Sequence, residues 1–205
     1  MGLYLEIHPE NPQTRFIKQA AAIIHKGGVI VYPTDSSYAL GCHIGDKSAL
    51  TRLRRIRQID EKHNLTLVCR DLSEIATYAK IDNTDYRLLK SLTPGPYTFI
   101  LPGTTEVPRR LMHPKRRHIG LRVIDHPVVN ALLEELGQPL MSCTLILPGE
   151  ELPVTDAEDI RQQLEKQVDL IIDGGHCGLE PTTVIDLTGE VPLLRRHGKG
   201  KDHGL

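Results

Sequence analysis

Strand-forming and helix-forming segments alternate along almost the whole chain, a rhythm that commits it to helices packed on a largely buried sheet. Residues 29–32 (VIVY), 65–69 (LTLVC), 97–101 (YTFIL), 119–123 (IGLRV), the start of 139–147 (PLMSCTLIL), 168–173 (VDLIID), 182–187 (TTVIDL) and 192–196 (PLLRR) read as strands. They are short, apolar and bounded by Gly, Pro or Asp. Helical faces fall between them. Asn11 and Pro12 read as a cap and first turn, Phe16, Ile17, Ala20, Ala21 and Ile24 share one stripe, and Gly27-Gly28 is a stop. Asp46 caps a helix carrying Leu50, Leu53 and Ile56, and a helix near 83–92 ends at Pro94-Gly95-Pro96. Asp71 with Glu74, and Thr155 with Glu158, have the spacing of capping boxes, and Asp125-His126-Pro127 opens a helix that Gly137 closes.

The last three strands are separated by Gly-Gly and Thr-Gly turns and read as an antiparallel run added to βα crossovers. The expected architecture is α/β, with a twisted, mixed open sheet flanked by helices. No repeat, low-complexity tract or linker divides residues 1–205, so one domain is expected, with GKGKDHGL (198–205) as a solvated tail. No GxGxxG follows the first strand and no GxxxxGK[ST] occurs, so the sequence does not read as a doubly wound dinucleotide or P-loop fold.

Charge narrows the choice of partners. The net charge is −1, which provides no global field for nucleic acid, so any basic surface must be local. With no Trp and two Phe, a base-stacking platform is not expected. Cysteines 42, 69, 143 and 177 have no CxxC or other close pairing. A structural zinc site is therefore set aside, and buried free thiols in a reducing compartment are expected. The N-terminus lacks a basic start followed by a long apolar region, and nothing approaches the ~20 apolar residues of a membrane span. The expectation is a cytoplasmic protein with no membrane partner.

Three polar stretches carry candidate chemistry. In PTDSSYALG (33–41), Pro33 ends strand pairing and Thr34, Ser36 and Ser37 follow at once. Either the hydroxyls bond their own backbone in an ST-turn, or a rigid strand end delivers them to a ligand. In RLRRIRQIDEKHN (52–64), basic residues complement the end of a helix dipole, or Arg57 and Lys62 converge on a polyphosphate. In PRRLMHPKRRHIGLR (108–122), the loop cations Lys115, Arg116 and Arg117 are a solvated loop or a footprint for a phosphate backbone. His113 and His118 have no third ligand at a metal-binding spacing, and no nucleophile motif such as GxSxG is present.

Taken in order, YPTDSSYALG, the basic run leading into LTLV, PGPYTFIL, IGLRVIDHP, PLMSCT with LPG, DGG, TTVIDL and LLRRHG resemble the YrdC-like family, in its YciO branch, across nearly the whole chain. The resemblance implies a YrdC-type mixed sheet with a concave basic face. It also implies L-threonylcarbamoyladenylate synthase chemistry: threonine, bicarbonate and ATP are combined, pyrophosphate leaves, and the product serves modification of tRNA adenosine 37. Mg²⁺ would come with the nucleotide rather than sit in a protein cage, and tRNA or double-stranded RNA is an implied partner. Matched to the family's motifs, Thr34 faces the threonine, Arg122 clamps its carboxylate and Thr182 assists. Arg57, Lys62, His118, Thr144 and Arg196 contact the nucleotide. Two positions depart from the synthases: Ile59 stands where they carry Arg, and Ile146 where they carry Asn. Each lost polar contact to a charged ligand costs on the order of 1.5–3 kcal/mol, so reduced activity is expected. A non-catalytic paralogue that binds nucleotide or double-stranded RNA is the alternative.

Overall fold

The computed structural model describes residues 1–205. In chain order the elements are β1 (Leu3–Glu6), α1 (Thr14–His25), β2 (Ile30–Tyr32), β3 (Ala39–His43), α2 (Lys47–Arg57), β4 (Thr66–Val68), α3 (Leu72–Tyr78) and α4 (Asn83–Leu92). There follow β5 (Tyr97–Pro102), a turn of 3₁₀ helix (Arg109–Leu111), β6 (His118–Arg122), α5 (Pro127–Leu136), β7 (Leu140–Thr144), α6 (Ala157–Leu164), β8 (Leu170–Asp173), β9 (Thr183–Asp186) and β10 (Leu193–Arg196). All strands join one mixed sheet in the order β1-β8-β2-β3-β7-β4-β6-β5-β9-β10. No helix is long and apolar enough to cross a membrane.

Helix ends follow the local chemistry. The carboxylates of Asp46, Asp71 and Asp82 accept from the backbone N–H three residues on, at 2.8–2.9 Å. Asp71 has the expected Glu74 partner, which reaches back to the N–H of Arg70 at 2.9 Å. His126 caps α5 through Nδ1, Pro127 occupies its first turn, and Gly137 ends it at φ +69°. Two caps differ from expectation. Helix α6 is capped by Asp156 rather than Thr155, because the Asp156 carboxylate reaches both the Glu158 and Asp159 N–H groups. Helix α1 starts only after Gln13, leaving Asn11 and Pro12 outside it.

The two faces of the sheet have separate cores. On one, α2, α3, α4 and α6 bury Leu53, Ile75, Leu89 and Ile160 against Leu40, Leu67, Phe99, Leu121, Met141 and Ile185. On the other, α1 and α5 bury Ile24, Val128 and Leu132 against Leu5, Ile30, Tyr32, Ile172, Val68 and Leu140. That second layer has only two helices, and it covers only part of its face.

Three expectations change. β1 and β3 were not anticipated: β1 has four residues and pairs with a strand more than 160 positions later, while Ala39–His43 contains no β-branched residue. The late strands are not one antiparallel run. β9 and β10 are antiparallel, but β8 lies between β1 and β2, parallel to both, so Gly174-Gly175 begins a crossing rather than a hairpin. Residues 198–201 are docked, not solvated. Gly198 N–H donates to Thr183 Oγ1 at 3.1 Å, Lys199 N–H to the Pro181 carbonyl at 2.9 Å, and Tyr97 OH to the Lys201 carbonyl at 2.9 Å. Gly200 is buried against Tyr97, where an added Cβ would sit 2.5 Å from the ring.

Candidate functional site

One row of register partners crosses the sheet: Leu170, Ile30, Gly41, Ser142, Thr66, Gly120, Ile100, Asp186. Its first members are apolar and lie under α1 and α5; from Ser142 onward hydroxyls, glycine and a carboxylate take over, with Ile100 among them. The residue types change where the helical cover ends. Tyr32 marks the boundary, its hydroxyl 2.5 Å from Ser142 Oγ. Beyond it lies a cavity of about 810 Å³ whose floor is the uncovered face. Gly120 gives the floor its depth: a Cβ there would lie 3.2 Å from Thr66 Oγ1 and 3.3 Å from Thr98 Cγ2.

The cavity is strongly cationic. Arg57, Lys62, Arg116, Arg122, Arg195 and Arg196 line it, with His63, His113 and His118, against the single carboxylate of Asp186. So many like charges in one concavity focus a positive potential that favours a polyanion.

Arg122, at the end of β6, is only 8% exposed. Its Nη2 donates to Asp35 Oδ1 at 2.6 Å, and Asp35 Oδ2 accepts from the Asp125 N–H at 2.9 Å, so the PTDSS turn holds the guanidinium in place. Burial pulls the Arg122 pKa down and the Asp35 charge opposes that fall. Its Nε has no partner although it is buried. Arg196 stands close by, donating from Nε to the Thr182 carbonyl at 3.0 Å and from Nη2 to Thr182 Oγ1 at 3.1 Å. Its pKa is lowered by burial and then by the Arg122 charge. Two guanidinium groups that repel each other at the cavity wall make this a place that can accept an anion.

A second such place lies at the end of α2. Arg57 donates from Nη1 to the Ile146 carbonyl at 2.6 Å, while its Nε is buried without a partner. His63 lines the same end, its pKa lowered by burial and then by Arg57 and Arg54. Thr144 is exposed at the end of β7, Lys62 is exposed in the loop before β4, and His118 is half-buried at the start of β6. All three line the cavity.

The structure therefore brings Arg57, Lys62, Arg116, His118, Arg122, Thr144, Thr182 and Arg196 together. Three expected residues stand apart. Lys115 and Arg117 are exposed outside the cavity wall. Thr34 is buried behind it, with its hydroxyl committed: Oγ1 donates to the Ser37 carbonyl at 2.5 Å and accepts from the Ser36 and Ser37 N–H groups at 3.1 Å. That is an ST-turn, and it corrects the expectation that Thr34 presents its hydroxyl to a ligand. Its neighbours reach Arg122 instead, Asp35 through its ion pair and Ser36 through an Oγ 3.4 Å from Arg122 Nη2.

Asp35, Thr66, Thr98, Gly120, Ser142, Asp186 and Arg195 were not singled out in the sequence. A signal existed: LTLVC, YTFIL, IGLRV and LMSCT each carry a small or polar residue inside an apolar run, at Thr66, Thr98, Gly120 and Ser142.

Residues 22–198 match the Sua5/YciO/YrdC family model, described as telomere recombination. The chain belongs to this family. A relative in it, the uncharacterized protein YciO of Escherichia coli K12, is 58% identical over 200 residues, which are 98% of this chain and 97% of YciO. The crystal structure of E. coli YciO matches with a TM-score of 0.95, covering 98% of each chain. A threonylcarbamoyl-AMP synthase of Chromohalobacter salexigens is 33% identical over 181 residues, 87% of this chain and 96% of the synthase. The crystal structure of P. abyssi Sua5 complexed with L-threonine matches with a TM-score of 0.88 at 27% identity, over 96% of this chain and 57% of that one. The ten-stranded mixed sheet with six helices is thus the fold of the family.

Proposed function

We propose that the cavity binds ATP and L-threonine and that the chain is a threonylcarbamoyl-AMP synthase of reduced activity, its product serving threonylcarbamoylation of tRNA adenosine 37. The observation that carries this reading is Arg122: a buried, braced guanidinium with an orphaned Nε, facing a cavity beside Thr182 and Arg196. A carboxylate arriving there meets the charges of both Arg122 and Arg196, and a hydrogen bond to a charged group contributes about 1.5–3 kcal/mol. The names of the more distant relatives and the L-threonine bound to P. abyssi Sua5 support the class.

The chemistry asks for positioning more than for acid–base groups. The threonine amine adds to CO₂ derived from bicarbonate, and a proton leaves to give a carbamate. A carbamate oxygen bonds to the α-phosphorus of ATP. The bond to the bridging β-phosphate oxygen breaks, and pyrophosphate departs with the electron pair. On this reading Arg122 and Thr182 hold the amino acid. Arg57, Lys62, Thr144, His118 and Arg196 hold and neutralise the polyphosphate, and Thr34 acts only by shaping the turn that braces Arg122. On this reading Mg²⁺ arrives on the triphosphate, whose oxygens would supply most of its ligands.

The two departures divide. Ile146 lines the cavity, whereas Ile59 packs against the main core and does not. Only the first then withdraws a contact from the ligand, slowing the reaction roughly tenfold to 150-fold.

The test is incubation with ATP, labelled bicarbonate and threonine. Labelled threonylcarbamoyl-AMP and pyrophosphate release dependent on both co-substrates are expected. ATP turnover stimulated by another amine but not by threonine would overturn the reading.

One observation favours RNA as a second reading: Lys115, Arg116 and Arg117 are exposed and none is in an ion pair. A non-catalytic RNA-binding paralogue would bind double-stranded RNA or tRNA with steep salt dependence, weakened by neutralising these three, without turnover.

A further inference from the structure

Strand β10 departs from regular geometry at Arg195 and Arg196. Successive strand side chains point to opposite faces, yet both guanidinium groups line the cavity. The register of the β9–β10 pair shifts between Leu194 and Arg196, so one extra residue sits on β10 and Arg195 turns inward. Arg195 is then pinned. Its Nε and Nη2 donate to Asp186 Oδ2 at 3.0 and 2.8 Å, and Asp186 Oδ1 accepts from the Thr188 N–H and hydroxyl at 3.0 and 2.6 Å. Asp186 has four donors and its charge is spent on Arg195, while the Arg195 side chain keeps 54% of its surface open. Two half-buried hydrocarbon side chains are register neighbours: Ile100 opposite Asp186 and Val184 opposite Arg196.

We infer that this corner is the nucleobase subsite of the cavity, where the plane of Arg195 and the hydrocarbon of Ile100 and Val184 take the faces of a heteroaromatic ring. The inference deepens the proposed nucleotide reading and rests on it. A phosphate does not suit the corner, because the Asp186 carboxylate cancels the Arg195 charge and repels a second anion. The amino acid belongs elsewhere, since Asp186 is four residues, roughly 13 Å, along β9 from Thr182. A flat, weakly charged group does suit a planar guanidinium with one open face.

The test compares the affinities of ATP and inorganic tripolyphosphate by calorimetry, which needs no turnover. Wild-type protein is expected to bind ATP more tightly. Arg195→Ala is expected to lose about fivefold to tenfold more affinity for ATP than for tripolyphosphate, since repulsion from the unpaired Asp186 acts on both ligands, and the tripolyphosphate binding that remains shows that the variant folds. Arg195→Lys keeps the charge without the plane and is expected to lose nearly as much, whereas Arg57→Ala weakens both ligands. If wild type binds ATP more tightly than tripolyphosphate and Arg195→Ala leaves that preference intact, the inference fails and the nucleotide reading stands. If wild type binds neither ligand, both fail.

Discussion

At the scale of single residues, Arg122 does what no neighbouring cation does: it is buried, and it is fixed by a carboxylate that is itself fixed by the Asp125 backbone. Replacing it by Ala should raise the threonine dissociation constant about a hundredfold, since a charge-assisted contact is lost and Asp35 is left unpaired. Lysine in its place should restore little, because an ammonium lacks the wide planar fork with which a guanidinium spans Asp35 and a second carboxylate; equilibrium binding of labelled threonine checks both variants. The isoleucines make a sharper comparison. Ile146→Asn should raise the rate of threonine-dependent pyrophosphate release. Ile59→Arg should leave that rate unchanged and lower stability by about 1–3 kcal/mol, because it forces a charge against the core. Equal gains from both would show that Ile59 reaches the ligand after all.

At the scale of elements, much was legible and the omissions have physical reasons. The caps at Asp46, Asp71 and Gly137 are local chemistry, and local chemistry can be read from a few neighbours. β1 could not be read that way, because its four residues become a strand only by pairing with β8. Arg122, Thr182, Arg196 and Arg57 were singled out through the motifs around them, and the structure brings them to one cavity. Arg195 was not, because its inward turn depends on a bulge that no residue in LLRR announces. Thr34 was misread since the same hydroxyl suits a ligand or its own turn, and only the Ser36 and Ser37 N–H positions decide. The docked tail gives a prediction at this scale. Ending the chain after His197 removes backbone bonds to Thr183, Pro181 and Tyr97 and uncovers Thr183, which has no exposure. Stability to urea should fall by about 2–4 kcal/mol, at roughly 1 kcal/mol per bond; a solvated tail would leave it unchanged.

At the scale of the whole molecule, the main core buries all four thiols, Cys143 at the edge of the cavity. Burial pushes Cys42 up to about 12, Cys143 and Cys177 up to about 11, and Cys69 well above its ordinary value. In the unfolded chain they ionise near 8.5. The unfolded state therefore gives up these protons first, so the stability they contribute is intact below about pH 8.5 and is lost as pH rises through the folded values. At pH 8 the native protein should leave every cysteine unmodified by iodoacetamide, and urea-unfolded protein should react at four; the urea midpoint should fall between pH 8.5 and 11. The strand order β1-β8-β2 has a kinetic consequence as well. While the polypeptide is still emerging from a ribosome, β1 has no neighbour until residue 173 has been made, and the cavity is complete only after Arg196. For most of its birth the chain must carry an unfinished apolar edge, which makes the nascent protein a natural client for chaperones well before it can bind any ligand.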